Sequence, residues 1–405
     1  MTLFGFIWLL LILFSFFSSN IKYILFLTIF SMILQCTNIV DTSSIQFGPQ
    51  VITCLFFIIY YILKIKNIKK LKIPTMAISL ICIYLVILLS SFINSTSIII
   101  YLRIIMLGIY IVTFIIMFNL NKQLEDQTIY KIIKIITLFV LIMGIIQILT
   151  TSGKFDRIGI ISSLFYNDHS YDVYYWHQNY SRLCSTFMEP SYCGCFLVAM
   201  FYYYLSIYNK EDKNIFILSL LAIEIVLTKS TTAYVAFAIG ALLLLLFSKN
   251  KNVKRVFVPL IIIALLFLFI FKFEVINSVI FSKTTSGSFN ARSNWNQRSL
   301  NRFYDSPLIG IGYKNIRGSS ILFSLLGEIG LIGMILYVLF NIQYIYQYIK
   351  NKRNLTINQE GIICAIITIF ISQVIACPDL DFCVYWLFLY LFALIFSKEK
   401  KYDIK

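Results

Sequence analysis

The sequence predicts an all-α integral membrane protein with about thirteen transmembrane helices (range 11–14) and two longer extracytoplasmic loops. Three observations carry that expectation. Mean hydropathy is +0.85 over 405 residues, with 60% hydrophobic and only 13% charged positions, so lipid rather than a water-excluded core must take the apolar surface. Apolar runs of roughly 15–25 residues alternate with short polar turns along the chain. Lysines gather in alternate turns, as the positive-inside rule requires, and they account for the formal charge of +16 without any nucleic-acid partner.

Taken in order, the spans are expected near 3–17, 22–40, 50–63, 74–93, 98–119, 130–150, 191–208, 215–228, 231–247, 256–272, 319–341, 360–377 and 383–397. The first lacks a basic leader and a small-residue cleavage site, so it reads as a retained anchor. Lys64, Lys66, Lys69, Lys70 and Lys72 set one turn as cytoplasmic. Counting from there puts the Lys122, Lys210, Lys249–Arg255 and Lys350–Arg353 turns and the C-terminal tail inside as well, and the N-terminus outside. The chain reads as a single polytopic domain, 1–405, with outer loops at 151–190 and 273–318. The cysteines sit mostly in apolar runs and behave as small hydrophobes.

The two sides differ in kind of cation. Of the 34 basic residues the inner side takes 22, of which only Arg255 and Arg353 are arginine. The outer side takes 12, and seven of these are arginine: Arg103, Arg157, Arg182, Arg292, Arg298, Arg302 and Arg317. Topology needs cations inside and lysine serves; nothing in topology requires arginine outside. The excess points to an anionic ligand, since the guanidinium fork fits phosphate oxygens. The alternative is a set of loop salt bridges with Asp156, Asp168, Asp172, Glu274 and Asp305.

The longest polar interruption is Ser286–Gly333. Within it Arg292, Trp295, Ser299 and Arg302 fall at helical spacing, and Arg298 lies one turn before Arg302. Pro307, Gly310 and Gly312 punctuate the end of that helix. The other outer loop packs Tyr166, Tyr171, Tyr174, Tyr175, Trp176 and Tyr180 around His169 and His177. Tyr174, Tyr175, Trp176 and His177 are candidate sugar contacts, against the alternative of an interfacial aromatic belt. The two histidines lack partners at ligand spacing, so no metal site is expected there.

Arg182 and Glu189 stand at the entry to the seventh span, with Pro190 marking the helix start. Glu189 is a candidate base for a hydroxyl; an Arg182–Glu189 ion pair reads equally well. Arg103, Glu224 and Glu328 lie within spans, where charge is costly enough to be functional by default; Glu328 is expected to meet a buried cation or backbone. The outer loops are read as holding no Asp-x-Asp, so metal-dependent nucleotide-sugar chemistry is not expected. No Walker sequence and no dinucleotide fingerprint occur, so neither cofactor nor nucleotide is expected and the substrate must bring its own energy.

The run RxxxTFMEPS, the span TKSTTAYVAFAIGAL, Arg292-x-x-Trp295, SPLIGIGYKN and LLGEIGLIG, in that order and sidedness, resemble the Wzy-type polysaccharide polymerases of the O-antigen polymerase/ligase superfamily. The resemblance covers Arg182 to the C-terminus by motif and the whole chain by span layout. It implies a GT-C-like membrane glycosyltransferase of the bacterial inner membrane that joins oligosaccharide repeat units carried on undecaprenyl pyrophosphate, for O-antigen or capsule. Its partners would be that lipid-linked oligosaccharide, the bilayer, and a chain-length regulator and flippase of the same pathway. Arg298, Arg302 and Arg292 then become pyrophosphate ligands, with Arg182, Arg103, Arg317 and Trp295 completing the binding set and Glu189 as base. The sister group, the ligases, carries a histidine after the PLxGxG element. Here KNIRGSSILFSLLGE has Arg317 and no histidine, which favours polymerase over ligase. A flippase or exporter would instead carry charge from face to face of the bundle.

Overall fold

The computed structural model describes residues 3–35, 37–41, 46–64, 71–95, 97–120, 126–151, 182–208, 214–247, 287–351 and 354–396. The helices are α1 (Leu3–Phe17), α2 (Ile21–Ser31), α3 (Pro49–Lys64), α4 (Thr75–Asn94), α5 (Ile98–Leu120), α6 (Asp126–Thr151) and α7 (Pro190–Ser206). They continue with α8 (Ile215–Leu227), α9 (Thr231–Phe247), α10 (Gly287–Asp305), α11 (Ile321–Asn351), α12 (Ile357–Ala376) and α13 (Cys383–Phe396). A two-residue antiparallel pair, β1 (Val40–Asp41) with β2 (Gln46–Phe47), bridges α2 and α3.

Twelve expected spans are helices, and the one at 256–272 lies outside the described residues. The remaining described helix, α10, is the polar one. Among the described residues five helices are long and apolar enough to cross a membrane: α4, α5, α6, α11 and α12. The second span is shorter than its apolar run suggests. It stops at Ser31, because the chain then turns and Gln50 donates to the Leu34 carbonyl at 2.6 Å.

The radial distribution of side chains is that of a protein in lipid. Phe14, Phe17, Phe92, Ile98 and Phe216 are exposed on the outside, while polar groups pair inside. Tyr337 donates to Gln373 at 2.7 Å and Tyr385 to Asn341 at 2.8 Å, both between helices. All of α7 is buried, as is α13 from Val384 to Ile395. These two helices form the axis, with α12 packed on both.

Helix ends sort into two groups. At one end Lys64 donates to the Ser18 carbonyl (2.6 Å), the Lys72 N–H to Asn119 (2.9 Å), and Tyr348 to Glu360 (3.0 Å). At the other end meet the C-termini of α4, α6, α8 and α12 and the N-termini of α7, α11 and α13. There Asn94 donates to the Gly310 carbonyl (3.2 Å) and Arg182 to the Thr228 carbonyl (3.1 Å). This second end carries Arg182 and Arg317, and the site is built on it.

Candidate functional site

The site begins with a broken helix. Gly330 in α11 has φ 67° and ψ −167°, so the ladder is interrupted and the carbonyls of Gly327 and Glu328 lose their i+4 donors. The span expected to run unbroken is therefore two helices across a kink. Residues 307–312 fill the gap: Ile311 N–H donates to Gly327 O (3.0 Å) and Gly312 N–H to Glu328 O (2.9 Å). In return Leu331 N–H donates to Pro307 O (2.9 Å) and Ile332 N–H to Leu308 O (3.2 Å). Backbone so close to backbone excludes a Cβ. One built on Gly310 would meet Glu328 and Ile329, and one on Gly330 would meet Leu308 and Ile309; both glycines also have positive φ. The glycines of SPLIGIG and LLGEIGLIG are thus two halves of one joint, more than punctuation.

The joint aims the next residues. Tyr313 N–H donates to Ser91 Oγ (3.0 Å) and Asn315 Nδ2 to Ser95 Oγ (2.7 Å), tying the loop to α4. Lys314 takes a left-handed backbone, φ 58°. Its ammonium donates to Asp379 Oδ1 (2.6 Å) and Asp381 Oδ1 (2.9 Å) in the α12–α13 turn. Arg317 Nη2 donates to Asp379 Oδ2 (2.9 Å) and to the Tyr192 hydroxyl (3.1 Å), which itself donates to Asp379 Oδ2 (2.9 Å).

Burial opposes every charge in this knot and pairing overcomes it. Desolvation pushes the Asp379 carboxyl up, but Lys314 and Arg317 hold it well below the usual carboxylate range. Desolvation likewise works against Lys314, while Asp379 and Asp381 hold its ammonium well above the ordinary lysine value. Arg317 is raised in the same sense, with burial opposing and Asp379 prevailing. The Lys314 side chain is 11% exposed and that of Arg317 49%, so one cation is internal and the other is presented.

Glu189 is the N-cap residue of α7, half-buried, and accepts from Ser191 Oγ at 3.0 Å. Its backbone carbonyl accepts from Tyr192 N–H (3.0 Å), so carboxylate and tyrosine share the first turn of one helix. Arg317 feels the Glu189 charge. No ion pair joins Arg182 to Glu189 among the described residues; Arg182 binds backbone instead. Glu189 and Arg317 thus lie within electrostatic range of each other without a bond, and the described residues show no Arg182–Glu189 bridge.

The α10 arginines stand apart from this knot. The packed face of α10 is Asn296 and Ser299: Asn296 Oδ1 accepts from Ser319 N–H (2.8 Å), and Ser299 donates to the Phe323 carbonyl. Trp295, Arg298 and Arg302 lie on the exposed face, and Arg292 is half-buried. Arg302 pairs with Asp305 at 3.2 Å, one of the loop salt bridges weighed above. Arg103 is exposed near the start of α5. Tyr174, Tyr175, Trp176 and His177 lie outside the described residues.

Sequence reasoning missed Asp379, Asp381, Lys314 and Tyr192. The two outer loops hold no Asp-x-Asp, but the short turn between α12 and α13 does: Asp379-Leu380-Asp381 lies at the same end as Arg317, and both carboxylates are held by Lys314. That signal, two carboxylates in a five-residue gap between apolar spans, was available. Glu328 meets backbone and a nearby cation, as expected.

Residues 216–338 match the family model described as O-antigen ligase, a stretch from α8 through α10 and the glycine joint into α11. The match supports placing the chain in the O-antigen polymerase/ligase superfamily. No curated protein sequence is matched by the chain.

Proposed function

From that superfamily as premise, we propose that the protein polymerises oligosaccharide repeat units carried on undecaprenyl pyrophosphate. It moves the growing chain onto the incoming lipid-linked unit at the outer face of the inner membrane and releases undecaprenyl pyrophosphate. One observation carries the reading. The described arginines at this end divide into a bound set and an open set: Arg182, Arg302 and Arg317 have protein partners. Arg103, Arg292 and Arg298 make no hydrogen bond or ion pair among the described residues. Guanidinium groups left open at this end of the bundle fit a diphosphate, and Glu189 has no cation bonded to it among the described residues.

The chemistry is one displacement at the anomeric carbon of the donor. Glu189 takes the proton of the acceptor hydroxyl as its oxygen bonds to that carbon. The bond to the pyrophosphate oxygen breaks, and its electron pair leaves on the diphosphate. That group is already a weak base, so cationic stabilisation by Arg298, Arg302 and Arg292 replaces acid catalysis and a metal. Arg182 and Arg103 complete the cation set from the bundle side, Arg317 is a substrate contact, and Trp295 with Tyr174, Tyr175, Trp176 and His177 lines the sugars. The single polytopic unit, its GT-C-like architecture, a cytoplasmic C-terminus and the chain-length and export partners belong to the same reading. The description of the matched family favours a second reading, ligase transfer of finished polymer. The absence of a histidine between Gly312 and Glu328 weighs against it.

Purified protein given a lipid-linked repeat unit, without metal or nucleotide, is expected to yield a polymer ladder. Glu189→Gln and Arg298→Lys should each abolish it, with a loss of about 10²-fold or more. Transfer that occurs only when a separate acceptor is added would establish the ligase. Full ladders from both variants would keep the polymerase and remove these residues from its site.

A further inference from the structure

At this end of the bundle the carboxylate of Asp379 accepts from three donors. Oδ1 takes the Lys314 ammonium at 2.6 Å, and Oδ2 takes Arg317 and Tyr192, each at 2.9 Å. Three donors from two elements fix its position and orientation. Arg317 is bonded to Asp379 and to Tyr192, whose own helix α7 carries Glu189 as its N-cap, and the Glu189 charge reaches it without a bond among the described residues. Among the described residues Glu189 is bonded only by a neutral hydroxyl, Ser191. Among the described residues the guanidinium is bonded to the acid that Lys314 and Tyr192 also hold, and not to Glu189.

We propose that Asp379 is a positioning residue of the transfer site: it holds Arg317 off Glu189, leaving Glu189 free to take the acceptor proton and turning the unspent donors of Arg317 toward the acceptor sugar. The inference rests on the reading of Glu189 as base. An ion-paired carboxylate is a poor proton acceptor, because the proton must displace the cation. With Arg317 committed to Asp379, that penalty is removed. Arg317, half-exposed, keeps donors on its outer edge for sugar oxygens. Tyr192 serves the same end, since its hydroxyl accepts from Arg317 and passes the bond on to Asp379.

The test is a double-mutant cycle on the polymerisation assay with full-length protein. Asp379→Asn keeps shape and removes charge, so Arg317 turns to Glu189. The expected result is a kcat reduced about 10²-fold, the scale of a lost general base, with KM for the lipid-linked unit changed less than about 3-fold. The double variant Asp379→Asn/Glu189→Gln should be no slower than Glu189→Gln alone, because holding Arg317 away has no value once the base is gone. A purely structural Asp379 predicts instead that the two losses multiply and that binding of undecaprenyl pyrophosphate falls with them; that outcome overturns the proposal, as does full activity of Asp379→Asn. If Asp379→Asn does not fold, Asp379→Glu retains the charge and carries the same cycle, with a smaller single loss and the same absence of additivity. Wild type that forms no polymer counts against the polymerase reading. An active Glu189→Gln beside an active wild type counts against the base, so each failure is separately visible.

Discussion

Two cationic segments lie side by side in this chain and treat their charge in opposite ways. In the loop after the glycine joint, Lys314 and Arg317 are each tied to carboxylates from the α12–α13 turn. On α10, Arg298 has no partner among the described residues, and Arg302 has only an exposed aspartate one turn away. Depth explains the difference. A charge withdrawn from water must be paired or it will not be withdrawn, whereas a charge at the rim can wait for a ligand. On the proposed reading the loop is the framework of the site and the helix its receiving surface.

The largest effect expected from breaking this contrast is at Lys314. Lys314→Met leaves Asp379 and Asp381 facing each other with one cation fewer, in a place where the lysine side chain is only 11% exposed. Removing one partner of a buried pair costs about 3–5 kcal/mol, and the thermal midpoint in detergent should fall accordingly. Arg298→Met, by comparison, should leave that midpoint unchanged while abolishing the ladder. Equal destabilisation by both would erase the distinction between framework and receiving surface.

Legibility in the sequence follows the same division. The spans, the polar helix α10 and the helix start at Pro190 were readable because periodicity and proline act within a few residues. Arg317 and Glu189 were readable as charges at the edge of apolar runs. The knot was not, since Lys314 and Asp379 are 65 positions apart and no periodicity links them. Tyr192 reads as one more aromatic in an apolar helix until its hydroxyl is seen on Asp379. The break in α11 lay in the spacing of Gly327, Gly330 and Gly333, a pattern that also fits close helix packing. What distinguishes the two is a second backbone, 307–312, arriving at the break.

A pH series sharpens the contrast next. Asp379 is held below the usual carboxylate range, so its contribution is present above its unfolded value of about 3.9 and lost as pH falls through the lower folded value. Lys314 is held above the usual lysine value; its contribution is complete below about 10.4 and lost only as pH rises through the higher folded value. Between about pH 5 and 9.5 Asp379 and Lys314 both keep their charge, so their pair contributes a constant amount, and on the acid side the stability gap between wild type and Lys314→Met should shrink only as pH falls below about 3.9 and Asp379 is protonated. A gap that is unchanged at about pH 2 would show that the pairing does not hold Asp379 in its charged form.

The smallest effect is the most diagnostic for α10. Arg302 and Asp305 form an exposed pair, with side chains 59% and 58% exposed, of the kind worth well under about 1 kcal/mol to the fold. Asp305→Asn should leave the thermal midpoint in place. If Arg302 receives the diphosphate, however, the aspartate competes with the substrate for it, and removing that competitor frees a guanidinium on the same face as Arg298. KM for the lipid-linked unit should then fall about 2- to 5-fold at low salt, and the gain should shrink as ionic strength rises and screens the exposed charges. A KM that does not move at any salt concentration would take Arg302 out of contact with the anion and leave Arg298 and Arg292 as its ligands on α10.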